Sequence, residues 1–358
     1  MEPSPTVEII IPHYRRRDML ERCLASLSRC PFYASPSLSI LVICNGTADA
    51  ALQKLIANYP TVKLLALAEN RGYAGGCNAG LQQSNAEYLI FLNDDTEHEA
   101  DWLEALLAIA QSNQNIAALQ PKILSLEHAK QGKRRFEYAG AAGGMIDKLG
   151  YPWCWGRTFF RVETDGGQYD KARNIFWASG VALCVRRSVA LEVGGFDEDF
   201  FMQMEEIDLC WRIQLAGYPI YSAPSSVVYH AGGASLAEGS AEKIYYNHRN
   251  NITMLLKNRS LVALLWIMPI RMVMELGAAL FYLTKADGLK KSGMVFRALR
   301  DQLRAMPTTL RKRRTIQTNR TVSDRQLFHH QPFFHLLNHL IPQLYTFAQP
   351  LKNQQHHQ

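Results

Sequence analysis

The chain has 358 residues, 47% of them hydrophobic and 20% charged, with a formal net charge of +7 and an isoelectric point near 9.0. This is enough for one large α/β domain plus an appendage, and it excludes both a disordered chain and a polytopic membrane protein. The positive excess sits late, in Lys285, Lys290, Lys291, Arg297, Arg300, Arg304 and the run Arg311 to Arg314, so an anionic partner is expected for a basic appendage on a balanced body.

Residues 7–12, VEIIIP, are a β-branched run closed by proline and predict a buried strand. Leu20, Cys23, Leu24 and Leu27 recur at helical spacing, and LSILVICNG predicts a second strand ending in an Asn-Gly turn. A helix around 50–57, the strand VKLLAL, the glycine-rich ENRGYAGGCNAGL and the strand YLIFLNDDT follow. Strand and helix alternate with short connections, which predicts a doubly wound, mostly parallel α/β sheet with ligands at the carboxyl ends of its strands. Periodicity loosens from about 120 to 176, read as loops over the site. It resumes at FWASGVALCVRRS and continues to a domain end near residue 240.

Four constellations carry chemistry. Asn93, Asp94 and Asp95 end an apolar strand with oxygen ligands that suit a hard divalent cation, or else they form a solvated turn capping the next helix. Glu205, Glu206 and Asp208 crowd one helical turn, which suits a proton-accepting base or a helix start ion-paired to Arg212. Gly72, Gly75, Gly76 and Gly80 let backbone approach a nucleotide or a neighbouring strand, but they do not match the dinucleotide spacing G-x-G-x-x-G. His230 follows a strand-like SSVVYH and could join a metal site or simply make a structural hydrogen bond.

The order P-x-Y-x-R (Pro12, Tyr14, Arg16), V-I-C-N-G-T (42–47), N-R-G-Y-A-G-G-x-N-x-G (70–80), L-N-D-D-T (92–96), E-E-x-D-L-x-x-R (205–212) and then His230 resembles family 2 glycosyltransferases, most closely their rhamnosyltransferase-like branch. The resemblance covers about residues 7–235. It implies a GT-A fold, a nucleotide-diphosphate sugar donor, inversion at the transferred carbon, and Mn2+ or Mg2+ as cofactor. It places Pro12, Tyr14, Arg16, Cys44, Asn45, Asn70, Gly76, Asn93 and Asp94 at the donor nucleotide. Asp95 and His230, with Asp94, become metal ligands, and Glu206 becomes the general base with Glu205 and Asp208 as acidic neighbours. Trp177, Ser179 and Gly180 fall to the sugar or acceptor. Cys44 departs from the family, which usually has an aspartate there to read a pyrimidine base.

In the C-terminal region, 241–358, the stretch 260–284 is long and apolar, but Pro269, Arg271 and Glu275 interrupt it. A charged pair at mid-bilayer is costly, so a bent hairpin or in-plane helix is expected, with residues 285–314 on anionic headgroups. The same stretch could serve as a packed appendage or a homo-oligomer contact. On the membrane reading, a chain cut after residue 245 should lose binding to anionic liposomes and still bind nucleotide. A short amphipathic helix is expected over 331–350. Seven cysteines with no C-x-x-C pair exclude a disulfide framework or a zinc module, and the first residues lack a secretory pattern. The expected place is the cytoplasmic face of the inner membrane, peripheral or monotopic, with a glycan or lipid-linked glycan acceptor of cell-surface polysaccharide or lipopolysaccharide synthesis. A sugar-nucleotide nucleotidyltransferase would need a G-x-G-T-R-like loop where PHYRRR stands, and a membrane scaffold would not need the two carboxylate clusters. Nucleic acid is not expected, because the basic residues lack interleaved aromatics.

Overall fold

The computed structural model describes residues 6–158, 161–232, 239–333 and 335. The first run forms β1 (Val7–His13), whose alternation sends Val7, Ile9 and Ile11 to one buried layer and Ile10 to the other. Next come α1 (Arg17–Leu27), β2 (Leu38–Cys44), α2 (Ala50–Ala57), β3 (Val62–Ala66), α3 (Gly72–Gln83) and β4 (Tyr88–Leu92). β3, β2, β1 and β4 lie side by side and parallel, so His13, Cys44 and Leu92 end at one edge.

The second half of the sheet mixes directions. It contains β5 (Thr96–His98), then α4 (Trp102–Ser112), β6 (Ala118–Ser125) and the short α5 (Leu126–Ala129). A small antiparallel sheet follows, made of β7 (Gly144–Ile146), β8 (Pro152–Cys154), β9 (Arg157–Thr158) and β10 (Arg161–Val162). Then come β11 (Asn174–Ile175), β12 (Ala182–Arg186), α6 (Arg187–Glu192), α7 (Glu205–Leu215) and β13 (Ile220–His230). β12 lies between β4 and β6 and is antiparallel to both. The chain enters it beside Leu92, at the carboxyl end of β4, and a strand entered from that edge must run backwards.

The region expected as loops from 120 to 176 therefore holds a fully buried strand and a second sheet. Polar residues in β6 hid it. Gln120 accepts from the Ser179 N–H at 2.8 Å and donates to the Gly140 carbonyl, while the Lys122 ammonium lies 2.9 Å from Asp165 and 2.5 Å from Asp170. Buried polar groups with such partners are tolerated, but the partners are remote in sequence.

Four longer helices complete the fold: α8 (Ala241–Asn258), α9 (Leu261–Leu283), α10 (Gly288–Arg304) and α11 (Met306–Asn319), followed by α12 (Asp324–Leu327). Of the two shapes expected, a bent hairpin or an in-plane helix, the stretch forms one 23-residue helix, α9, running through Pro269 and long and apolar enough to cross a membrane by length and composition. Its charged pair turns inward: Arg271 donates to Glu275 at 2.7 Å, Asn251 at 2.6 Å and the Leu149 carbonyl at 3.0 Å, and His248 holds the other oxygen of Glu275. Protein partners thus meet these charges. Met254 and Leu255 of α8 and Ile267 of α9 are fully buried in the same core as Ile10 and Phe91, so cutting after residue 245 would open that core. The basic run is also partly internal, because Lys312 pairs with Asp197 and Asp199, and Arg313 donates to the carbonyls of Leu256 and Arg259. The tail expected as a helix over 331–350 lies outside the described residues, apart from its first few.

Candidate active site

A cavity of about 770 Å³ opens where β1, β2 and β4 end, lined by Pro12, Tyr14, Arg16, Asn45, Asn70, Asn93, Asp94 and Asp95. A second space of about 400 Å³ adjoins it through His13, Tyr14, Arg15 and Asn45, and is closed by Cys44, Gly46, Thr47 and Asp49. Ligand sites at the carboxyl ends of open α/β sheets follow from the fold.

The loop between β3 and α3 is shaped by Asn45, which follows β2, and by its own Asn70. The Asn45 carboxamide accepts from Arg71 N–H at 2.9 Å and donates to the Gly72 carbonyl at 2.7 Å, and Asn70 accepts from Gly72 N–H at 2.9 Å. Gly72 has φ +68°, and a Cβ there would come within 2.2 Å of the Phe201 carbonyl oxygen. A Cβ on Gly76 would stand 3.3 Å from Pro12, so this glycine lets α3 pack on β1. Asn45 thus lines the cavity, whereas Gly76, expected at the nucleotide, lies behind the wall against Pro12 and Asn45.

Antiparallel pairing of β5 with β13 sets His230 opposite Thr96, and this register carries the imidazole to Asp95. His230 Nε2 lies 3.0 Å from Asp95 Oδ1 and 3.3 Å from Asn93 Nδ2, while its Nδ1 is 3.7 Å from Glu137. Burial by itself would lower the His230 pKa, but Asp95 and Glu137 override it and hold it at about 9. Asp94 turns instead to His13, whose Nδ1 is 2.6 Å away; burial raises the Asp94 carboxyl despite that partner.

Three residues before α7 hold left-handed backbone, Phe201, Gln203 and Met204 at φ 62°, 70° and 72°. Non-glycine residues there are strained, and three carbonyls of the segment, Phe200, Met202 and Gln203, accept from the Asn250 carboxamide at 3.0, 2.8 and 2.7 Å. This turn delivers Glu205 and Glu206 beside Tyr73, whose ring lines the cavity with Phe201 and Met202, and whose hydroxyl donates to the Gly180 carbonyl at 2.6 Å. Burial raises the Glu206 carboxyl to about 7, against N–H groups of Glu206, Ile207 and Gly180 that favour its charged form. Glu205 is raised further, by burial and by the charge of Glu206. Oε2 of each has no hydrogen-bond partner among the described residues.

Asp208 is elsewhere. Fully buried, it accepts from Arg212 at 2.9 Å, Lys257 at 3.1 Å and Asn258 at 2.9 Å, a network tying α7 to α8. Trp177 and Ser179 are likewise buried away from the cavity wall, Trp177 donating to the Met145 carbonyl at 2.7 Å and Ser179 to the Ala139 carbonyl at 3.2 Å.

Residues 8–191 match the profile of Glycosyl transferase family 2. The chain belongs to glycosyl transferase family 2. It is 30% identical over 271 residues to the N-acetylglucosaminyl-diphospho-decaprenol L-rhamnosyltransferase of Mycobacterium tuberculosis, covering 72% of this chain and 86% of that one. Its fold is similar to that of TarS of S. aureus (TM-score 0.55, 15% identity, 97% and 93% of the two chains). It is also similar to GalNAc-T7 with UDP, GalNAc and Mn2+ (TM-score 0.55, 16% identity, 72% of this chain and 48% of that one, so about half its length). The GT-A fold expected from the motifs is the observed one.

For this family 2 glycosyltransferase the donor set fits a divalent cation in part. Two neighbouring ligands of an octahedral ion bonded at ~2.1 Å stand ~3 Å apart, as Asp95 Oδ1 and His230 Nε2 do. Loading an ion there means expelling the imidazole proton. No group of three His, Cys, Asp or Glu side chains converges among the described residues.

Several wall residues had been given no role: Tyr73, though it stands in the motif at 70–80, and His13, Arg15, Phe201 and Met202, and from the C-terminal helices Glu242, Tyr245, Tyr246, Lys290, Met294 and Arg297. His13 sat unread inside PHYRRR. The helical residues carry no local signal, since only the packing of α8 and α10 brings them to the cavity.

Proposed function

We propose that the enzyme transfers a sugar with inversion from a nucleotide diphosphate, L-rhamnose from TDP-rhamnose first and a UDP-hexose second, to a lipid-linked glycan at the cytoplasmic face of the inner membrane. The product would serve cell-surface polysaccharide or lipopolysaccharide synthesis. The observation that carries the reading is Glu206: a carboxylate raised by burial to about 7, with an oxygen that has no partner among the described residues, standing behind Tyr73, which lines the cavity of Asp94 and Asp95, while Glu206 itself is not a lining residue. A general base works best with a pKa near the working pH. The likeness to the mycobacterial rhamnosyltransferase supports the donor and the lipid-linked acceptor.

In this reading residues 1–240 form the catalytic domain and 241–358 the membrane-facing region. The nucleotide base enters the smaller space beside Cys44, and the diphosphate lies toward Asn93 to Asp95. Mn2+ or Mg2+ held by Asp95 and His230 would neutralise the leaving diphosphate. Glu206 takes the proton from the acceptor hydroxyl as that oxygen attacks the sugar carbon, and Glu205 stays protonated, so a second negative charge does not oppose the first. The strained turn at Phe201 to Met204, held by Asn250, fixes where that carboxylate stands.

The membrane reading rests on one face of α9. Leu261, Val262, Leu265, Val273, Leu276 and Leu280 are exposed there, while Arg271 and Glu275 face inward. Such a helix lies in the interface, helped by Lys285 and Lys291 nearby.

The test is transfer from TDP-rhamnose, UDP-glucose, UDP-galactose and GDP-mannose to a lipid-linked N-acetylglucosaminyl diphosphate with Mn2+, the product's anomeric configuration being read by NMR. Transfer from TDP-rhamnose with inversion is expected. Retention would reject the mechanism, and preference for GDP-mannose would reject the donor.

A further inference from the structure

We propose that Lys290 and Arg297 of α10 form an anion subsite that grips the phosphates joining the acceptor glycan to its lipid. The proposal rests on the lipid-linked acceptor argued above and names the groups that read it.

Lys290, Met294 and Arg297 fall on one face of α10, at i, i+4 and i+7, and line the main cavity with Tyr245 and Tyr246 of α8. Lys290 makes no ion pair or hydrogen bond among the described residues. Arg297 lies over the Tyr245 ring at 4.9 Å, with Asp301, which also accepts from the Tyr245 hydroxyl at 3.0 Å, 3.6 Å from its Nε. One acid, the exposed Glu242, shares this wall, so cations outnumber carboxylates on it.

The charge of the cavity is therefore divided. Asp94 and Asp95 make one part acidic, where a diphosphate needs a cation between it and the protein. The α10 wall is basic and can take phosphate directly. The smaller adjoining space, which suits a nucleotide base, is bounded by β1, β2, the loops after them, Arg17 of α1 and Leu52 of α2, with no residue from α8 or α10. A nucleotide entering there leaves the α10 wall for the second substrate.

The outer side of the same helix fits a lipid. Leu289, Phe296 and Leu303 repeat every seven residues and are exposed by 85%, 52% and 69%. One step along the helix from Leu289 and Phe296 stand Lys290 and Arg297, so an acceptor could leave its chain on the apolar row and place its phosphates in the cavity mouth. No soluble acceptor needs that adjacency.

The full-length enzyme is tested as Lys290→Ala, Arg297→Ala and the double variant. Initial rates are measured with three detergent-dispersed acceptors carrying the same sugar through a diphosphate, a monophosphate or no phosphate. For the diphosphate acceptor the double variant should raise KM at least about tenfold. The phosphate-free acceptor should shift by less than about twofold, the donor KM should hold, and Lys290→Arg should restore most of the loss. Binding of citronellyl diphosphate by calorimetry, with UDP saturating, should weaken in parallel; this probe carries no sugar and reports on the subsite even if the assigned acceptor sugar is wrong. An unchanged KM for the diphosphate acceptor, an equal rise for all three acceptors, or no binding of citronellyl diphosphate to the wild type would overturn the proposal. A rise in donor KM alone would assign the cations to the nucleotide. Loss of binding to anionic vesicles with intact kinetics in detergent would assign them to bulk headgroups.

Discussion

Replacing Glu206 with glutamine should abolish catalysis and stabilise the fold at the same time. Burial raises this carboxyl from an ordinary 4.5 to about 7, so the folded state prefers the protonated form. Its contribution to stability is complete below the unfolded pKa and is lost as pH climbs through the folded one. At pH 7 the penalty for carrying the ionisable acid reaches about 3 kcal/mol at most, from 1.36 kcal/mol per pKa unit. Glutamine removes the charge but must still bury an amide, so a gain of about 1 kcal/mol and a Tm higher by a few degrees at pH 8 are expected, with little difference at pH 4. Turnover should drop by ~100-fold or more, and donor-induced thermal shifts should survive. In the wild type, kcat should rise with pH through about 7, falling near tenfold per unit on the acid side. Differential scanning fluorimetry and initial rates, both run from pH 4 to 9, check the pair of effects. A glutamine variant that is inactive but less stable at pH 8 would make Glu206 a structural partner, and one that keeps full turnover would place the base elsewhere.

Asp95→Ala should lose transfer and Mn2+-dependent donor binding by calorimetry while the protein stays folded; activity that persists in excess chelator would remove the metal from Asp95 and His230. Cys44→Asp should improve affinity for UDP or TDP, whereas unchanged affinity for every nucleotide would put the smaller cavity outside the donor site. Glu275→Gln leaves Arg271 buried without its carboxylate and should lower stability by about 3 kcal/mol in urea melts; an unaltered midpoint would mean that α9 docks without this pair. Wild-type enzyme should sediment with anionic liposomes at low salt and detach as salt rises, and Leu276→Asp with Leu280→Asp should weaken that binding without changing Tm. Wild type left in the supernatant would make the α9 face a contact between protein chains.

Local chemistry in the sequence was enough for the first half of the fold. Unbroken β-branched runs, helical spacing of Leu20 to Leu27 and glycines before an apolar helix each act within a few residues, so β1 to β4 and the helices between them were legible, as were the residues that end the strands at the cavity. The order of motifs carried the family. What tertiary structure decided depends on contacts distant in the chain. Gln120 and Lys122 made β6 look unlike a buried strand until Ser179, Asp165 and Asp170 supplied their partners. Asp208 resembled its neighbours Glu205 and Glu206, but Lys257 and Asn258 from α8 turned it into a structural anion. Arg271 and Glu275 read as an obstacle to burial, and Asn251 and His248 made burial possible. Lys290 and Arg297 looked like members of a solvent-facing basic run, and only the docking of α10 on α8 put them on the wall of the site. A side chain's role follows from its own chemistry when its partners are near in sequence, and from the fold when those partners arrive from a distant element of the chain.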